Sequence, residues 1–112
     1  MKNDNRAIPC LSIRQPQAEL IVRGLKNIEY RNWWTGYRGE MYIHAPLQID
    51  TNHLDIINIQ ILPKQAIIGK ATLYDITESS KDNYKWAFHL KNPIKLKRPI
   101  ENIPGHIRFF YL

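Results

Sequence analysis

The chain has 112 residues, enough for one modest hydrophobic core and too few for two. Hydrophobic residues make up 44% and charged residues 23%, a balance that excludes a disordered chain, and no apolar run approaches the roughly 20 residues of a membrane-spanning helix. Sixteen Lys and Arg against ten Asp and Glu leave +6, which favours polyanionic partners, while the lone Cys10 excludes an internal disulfide framework and a cysteine-rich zinc site.

Residues 1–6, Met1-Lys2-Asn3-Asp4-Asn5-Arg6, lack the apolar centre of a secretory signal and read as a flexible lead into a single domain over 7–112, with a cytoplasmic location expected. Ala7 to Ile13 then reads as a short apolar strand. Gln15-Pro16 opens a helix from about Pro16 to Arg23, with proline where its missing N–H costs nothing, and Gly24 follows at a left-handed C-cap position. Ala18, Leu20, Ile21 and Val22 crowd into its two turns, as in a buried helix.

From Lys26 the period becomes two. Ile28 and Tyr30 point one way, toward the core, and Asn27, Glu29 and Arg31 the other, which sets Glu29 and Arg31 side by side on a polar face. Gly36 and Gly39 bracket a turn, and Glu40 to Ala45 alternates again, with Met41, Ile43 and Ala45 opposite Glu40, Tyr42 and His44. Asp50 or Thr51 can cap a second helix through about Gln60, ended by Pro63.

Ala66 to Ile76 is β-rich, and Gly69 within it marks a bulge or the close approach of another group. Thr77 to Asn83 is polar and turn-like. Lys85 to Leu90 and Ile94 to Ile100 read as two further strands punctuated by Pro93 and Pro99, and Ile107 to Leu112 as an apolar closing strand. Between Asn83 and Ile100 there is no carboxylate, while Lys85, Lys91, Lys95, Lys97 and Arg98 make a local positive field. That field suits a nucleic-acid backbone, and it equally suits a strand edge guarded by lysines against aggregation. Many short strands with two short helices predict a partly open barrel of the α+β class.

Leu11-Ser12-Ile13-Arg14-Gln15-Pro16, then Gly24 through Arg31, then Trp33, Tyr37-Arg38-Gly39 and Ile43-His44-Ala45 resemble, in order and spacing, the ASCH domains, which share the PUA-like barrel. The most specific part is Gly-x-Lys-x-x-Glu-x-Arg at Gly24, Lys26, Glu29 and Arg31. Similar sequences commonly carry Trp after the Arg-Gln-Pro element; this chain has Gln17, which leaves that position without an aromatic ring.

The resemblance implies a cleft between barrel and first helix that receives RNA or a nucleobase. Relatives also include a ribonuclease-like member and an amidohydrolase that removes the acyl group from acetylated cytidine. In the amidohydrolase pattern a Lys is followed three positions later by a Thr nucleophile. Here Lys26 is followed by Glu29, which weakens any transfer of that covalent mechanism.

As chemistry, a Glu29 carboxylate accepts hydrogen bonds only, from an exocyclic amine of cytosine or adenine or from a ribose hydroxyl. Arg31 offers a planar fork to a phosphate or carbonyl, and Lys26 a point charge. The plainer reading of the trio is an exposed ion-pair network worth under about 1 kcal/mol. Trp34 and Tyr37 beside Arg38 suit base stacking next to phosphate contacts, with one of the two rings expected to be exposed.

His44 can orient a ligand, although a hydrogen-bonded structural histidine is the commoner case. Ser12, Arg14 and Gln15, where the first strand meets the helix, are further cleft candidates. Lys95 and Lys97 are candidate backbone contacts. Asp75 is a conceivable second carboxylate for proton transfer, and His53, His89 and His106 lack metal-ligand spacing, so neither metal nor cofactor is expected.

The leading expectation is thus a module that binds RNA or a nucleotide. The alternatives are a hydrolase acting on RNA or a modified nucleoside through Lys26 and Glu29, and a protein-interaction domain using Trp34 or the Phe109-Phe110-Tyr111 end.

Overall fold

The computed structural model describes residues 7–53 and 58–112. The expected flexible lead, residues 1–6, lies outside the described residues, as does the middle of the expected second helix, residues 54–57. Five strands form one sheet: β1 (Cys10–Ser12), β2 (Ile28–Arg31), β3 (Gly39–Ala45), β4 (Ala66–Glu78) and β5 (Trp86–Glu101), in the order β1-β3-β4-β5-β2. β1 runs parallel to β3, and the other neighbours are antiparallel. β1 and β2 are the outer strands, yet the sheet curls far enough for Arg31 Nη2 on β2 to donate to the Ser12 carbonyl on β1 at 2.8 Å. The result is a half-barrel whose two edges face each other.

The helix α1 (Gln17–Val22) packs Ala18, Ile21 and Val22 into the core with Leu11, Ile13, Met41, Ile43, Ile68, Leu73 and Phe88. Each large side chain of this set contributes about 1.5–3 kcal/mol by leaving water. Gly24 follows α1 with φ of 77°, the left-handed conformation that closes a helix at small steric cost. The Leu25 and Lys26 N–H groups both return to the Leu20 carbonyl, at 2.8 and 3.2 Å. That tight exit delivers Lys26 and β2 to the sheet edge.

Gly69 has a packing reason as well as a register one. A Cβ placed there would lie 2.2 Å from the Ile94 carbonyl oxygen and 2.6 Å from Val22 Cγ1, so only a bare backbone lets α1 sit this close to β4 and β5. The pairing of β4 with β5 also shifts register between Ile67 and Gly69.

Three expectations change. The stretch from Asp50 to Gln60 does not form a second α-helix among the described residues; its ends are single 3-10 turns, Thr51–His53 and Ile59–Ile61. Local side-chain bonds take the backbone there, with Asp50 Oδ1 accepting from Asn52 N–H and Asn58 Oδ1 from Gln60 N–H. The two expected strands around Pro93 are one 16-residue β5, which absorbs the proline beside Asn92 at φ of 52° and repeated register shifts against β4. The C-terminal segment pairs only at Phe110, whose N–H and C=O both bond Cys10, while Ile107, Tyr111 and Leu112 are exposed. Beneath that pairing Cys10 is fully buried, and burial pushes its thiol up to about 11.

Candidate functional site

Where the half-barrel's edges approach each other, the end of β1, the start of α1, β2, the loop before the first 3-10 turn and residues 105–107 enclose a cleft of about 790 Å³. That volume lies toward the top of the range for small-ligand sites. Its wall mixes polar and apolar groups: Ser12, Arg14, Gln17, Glu29, Arg31 and Asp50 line it together with Ile13, Leu47 and Ile107.

The sequence motif is assembled as one network. Glu29 sits between the two cations, with Oε1 3.1 Å from Lys26 Nζ and Oε2 3.0 Å from Arg31 Nη2. Lys26 Nζ also donates to Gln17 Oε1 at 2.7 Å, and Gln17 Nε2 to Asp50 Oδ2 at 3.3 Å. A continuous chain of bonds therefore runs Asp50, Gln17, Lys26, Glu29, Arg31, Ser12. Arg31 Nε is buried with no described partner. Lys26 itself lines a separate hollow of about 240 Å³ beside Gly24 and Pro93 rather than the main cleft. Arg14 is exposed at the cleft rim, and its guanidinium has no partner among the described residues.

Ser12 lines the cleft, and His44 lies buried beneath it. The Ile103 carbonyl can only accept, so His44 Nε2–H donates to it, and the neutral ring's Nδ1 accepts from Ser12 Oγ–H at 2.9 Å. The His106 N–H in turn donates to Ser12 Oγ at 3.3 Å. Burial, the largest influence on His44, holds it below the ordinary histidine value and outweighs the opposing effect of the Ile103 bond. The alternation that set His44 on a polar face overlooked the C-terminal segment, which covers that face and leaves the ring fully buried behind Ser12 and Gly105.

The remaining expected site residues divide. Gln15 is fully buried and ties loops together, donating to the Pro63 carbonyl and accepting from Glu19 N–H, each at 3.0 Å, so it does not reach the cleft. Trp34 is the exposed ring of its pair, Tyr37 packs on Phe109, and Arg38 lies 5.7 Å over Trp34; none of the three lines the cleft. Lys95 is bonded to the buried carboxylate of Glu19, while Lys97 is exposed on β5. Asp75 accepts from the Ile76 N–H on β4 and is not part of the cleft, whose second carboxylate is Asp50.

Sequence reasoning missed the rings that do reach the cleft. Tyr30, expected in the core, is half-buried and lines it with Tyr84; their rings are 5.9 Å apart, and Lys81 Nζ lies 4.9 Å over Tyr30. β2 is an outer strand, so the face opposite Glu29 is only partly covered. Tyr84 comes from the polar turn before β5, and nothing in its local sequence points to a distant strand. Gln17 carried a signal, as the polar residue in a position where similar sequences hold an aromatic ring.

A family model described as the ASCH domain matches residues 11–100. Activating signal cointegrator 1 from Homo sapiens and from Mus musculus are each 53% identical to this chain over 36 residues. Those residues are 32% of this chain and 6% of each relative, so the chain spans a small part of the curated relatives it matches. Among solved structures, the ASCH protein of Zymomonas mobilis superposes with a TM-score of 0.65 at 18% identity, covering 96% of this chain and 89% of that one. A variant of that Zymomonas protein with one tyrosine changed to phenylalanine gives 0.67 at 18% identity, over 96% of this chain and 91% of the other.

Proposed function

The chain belongs to the ASCH domain family, and from that membership and the cleft's chemistry we propose that residues 7–112 act as one RNA- or nucleotide-binding module. The observation that carries this reading is the pairing of unused hydrogen-bonding capacity with space. Arg31 Nη1 and the Arg14 guanidinium at the rim have no partner among the described residues, Arg31 Nη1 is not sealed, and both residues face a hollow of about 790 Å³ that Tyr30 and Tyr84 also line. Guanidinium forks suit phosphate and carbonyl oxygens, and aromatic rings suit unstacked bases. The carboxylate of Glu29 supplies the acceptor that a purely phosphate-binding groove would exclude. It gives the cleft a way to read a base edge.

Phosphate contacts from Arg14 and Lys97 position the strand; Glu29 and Arg31 act on the nucleotide inside. The test is the affinity of the chain for short single-stranded RNA at several salt concentrations. Log affinity is expected to fall linearly with log salt. Arg14→Ala should flatten that slope by roughly one contact, and Arg31→Ala should weaken binding by about tenfold or more. RNA affinity untouched by both changes overturns the reading.

A further inference from the structure

Gln17 lies between two groups with no freedom of role. An ammonium only donates and a carboxylate only accepts, so Lys26 at 2.7 Å dictates that the amide oxygen faces it, and Asp50 at 3.3 Å dictates that the amide nitrogen faces the other way. A flip would set donor on donor and acceptor on acceptor. The amide nitrogen carries two protons, of which Asp50 takes one; the other has no described partner, and Gln17 lines the cleft.

Glu29 comes next along the wall. Each of its oxygens bonds one cation and keeps a second lone-pair site. Arg31 follows. Its Nη2 uses both protons, on the Ser12 carbonyl and on Glu29, which leaves the two on Nη1. Along this chain of bonds the three residues that line the cleft keep, in turn, a donor on Gln17, an acceptor on Glu29 and a donor on Arg31.

Resting on the nucleotide-binding reading above, we infer that the cleft selects a uracil base, free or within an RNA strand, because its O4, N3–H and O2 present the matching acceptor, donor, acceptor. Cytosine and adenine turn a ring-nitrogen lone pair toward Glu29, and guanine sets its amine against one of the donors. A site built on such buried polar pairs rejects the wrong edge by leaving its own groups unpaired. Lys26 is then a positioning residue: it fixes the amide and the carboxylate from behind, and Gln17 is the specificity-determining residue in front.

The experiment measures binding of uridine, cytidine, adenosine and guanosine monophosphates, and of oligo(U) and oligo(C), by the intact chain and by Gln17→Glu and Gln17→Met. The unaltered protein should prefer uridine over cytidine by about tenfold, in the monophosphates if the free nucleotide is the ligand and in the oligomers alone if a strand is needed. Gln17→Glu, which exchanges donor for acceptor at the same length, and Gln17→Met, which removes both, should erase that ratio while the thermal unfolding midpoint shows the fold retained. Nucleotide binding without uracil preference, or a preference that survives both variants, overturns the inference and leaves the nucleotide-binding reading standing. Absence of any RNA or nucleotide binding overturns both.

Discussion

Two glutamates in this chain each sit between an Arg and a Lys, and their surroundings separate them. Glu19, on α1, accepts from Arg23 at 2.7 Å and from Lys95 of β5, and its side chain is 0% exposed while those of Arg23 and Lys95 are 43% and 48% exposed. Glu29, on β2, is held by Lys26 and Arg31, and the three side chains are 13%, 25% and 17% exposed. In the first trio the cations lie outside and seal the carboxylate beneath them. In the second, carboxylate and guanidinium turn together toward a hollow. The same three kinds of charge thus make a structural rivet in one place and part of an open polar cleft in the other, and the deciding variable is what lies on the open side.

The sharpest way to break this comparison is Lys95→Glu, which adds a second carboxylate beside a buried one. It is expected to destabilise the fold by about 3 kcal/mol or more in urea unfolding, whereas Lys97→Glu should stay within about 0.5 kcal/mol. If Lys95→Glu folds normally and lowers RNA affinity just as Lys97→Glu does, Lys95 belongs to the binding surface instead. Glu29→Gln should do the reverse: stability within about 1 kcal/mol of the parent, and RNA affinity changed by about tenfold.

Acid titration sharpens the contrast further. Burial pushes the Glu19 carboxyl up, but bonds from Lys95 and Arg23, with their charges, outweigh it and hold the group below its ordinary 4.5. A depressed carboxyl stabilises the fold above its unfolded value, and that contribution is lost as pH falls through the folded value. Glu19→Gln should therefore flatten the acid limb of a stability curve below about pH 4.5.

A smaller effect belongs to His44. Its folded value is depressed from 6.5, so the unfolded chain binds the proton more readily, and stability should begin to decline as pH drops below that point. His44→Gln should remove this shallow slope, measured as the urea midpoint between about pH 7 and 5, whatever it does to the absolute midpoint.

What could be read from the chain was local. The period of two from Lys26 to Arg31, the glycine exit at Gly24, the strand from Glu40 to Ala45 and the grouping of Lys26, Glu29 and Arg31 all follow from neighbours a few residues apart. What escaped depends on distant partners. Nothing near Glu19 shows that β5 will supply Lys95 to it 76 residues later. His44 is polar-facing by alternation and buried only because Ile103 and Phe110 cover it. Asp50 read as a helix cap, yet its second oxygen is used by Gln17. Helix expectation also failed where Asp50 and Asn58 could close short turns through their own side chains, a competition that apolar spacing does not register.

The bare backbone at Gly69 reaches beyond its own strand. Val22, pressed against it, ends the same short rod that begins with Gln17, so position 69 serves as a spacer gauge for the far wall of the cleft. A single methyl group there would work like a shim under one end of a lever, lifting the rod and carrying the amide at its other end out of line with the carboxylate on the neighbouring strand. An alteration at position 69 would thus reshape the cleft wall around Gln17 without touching any side chain that lines it.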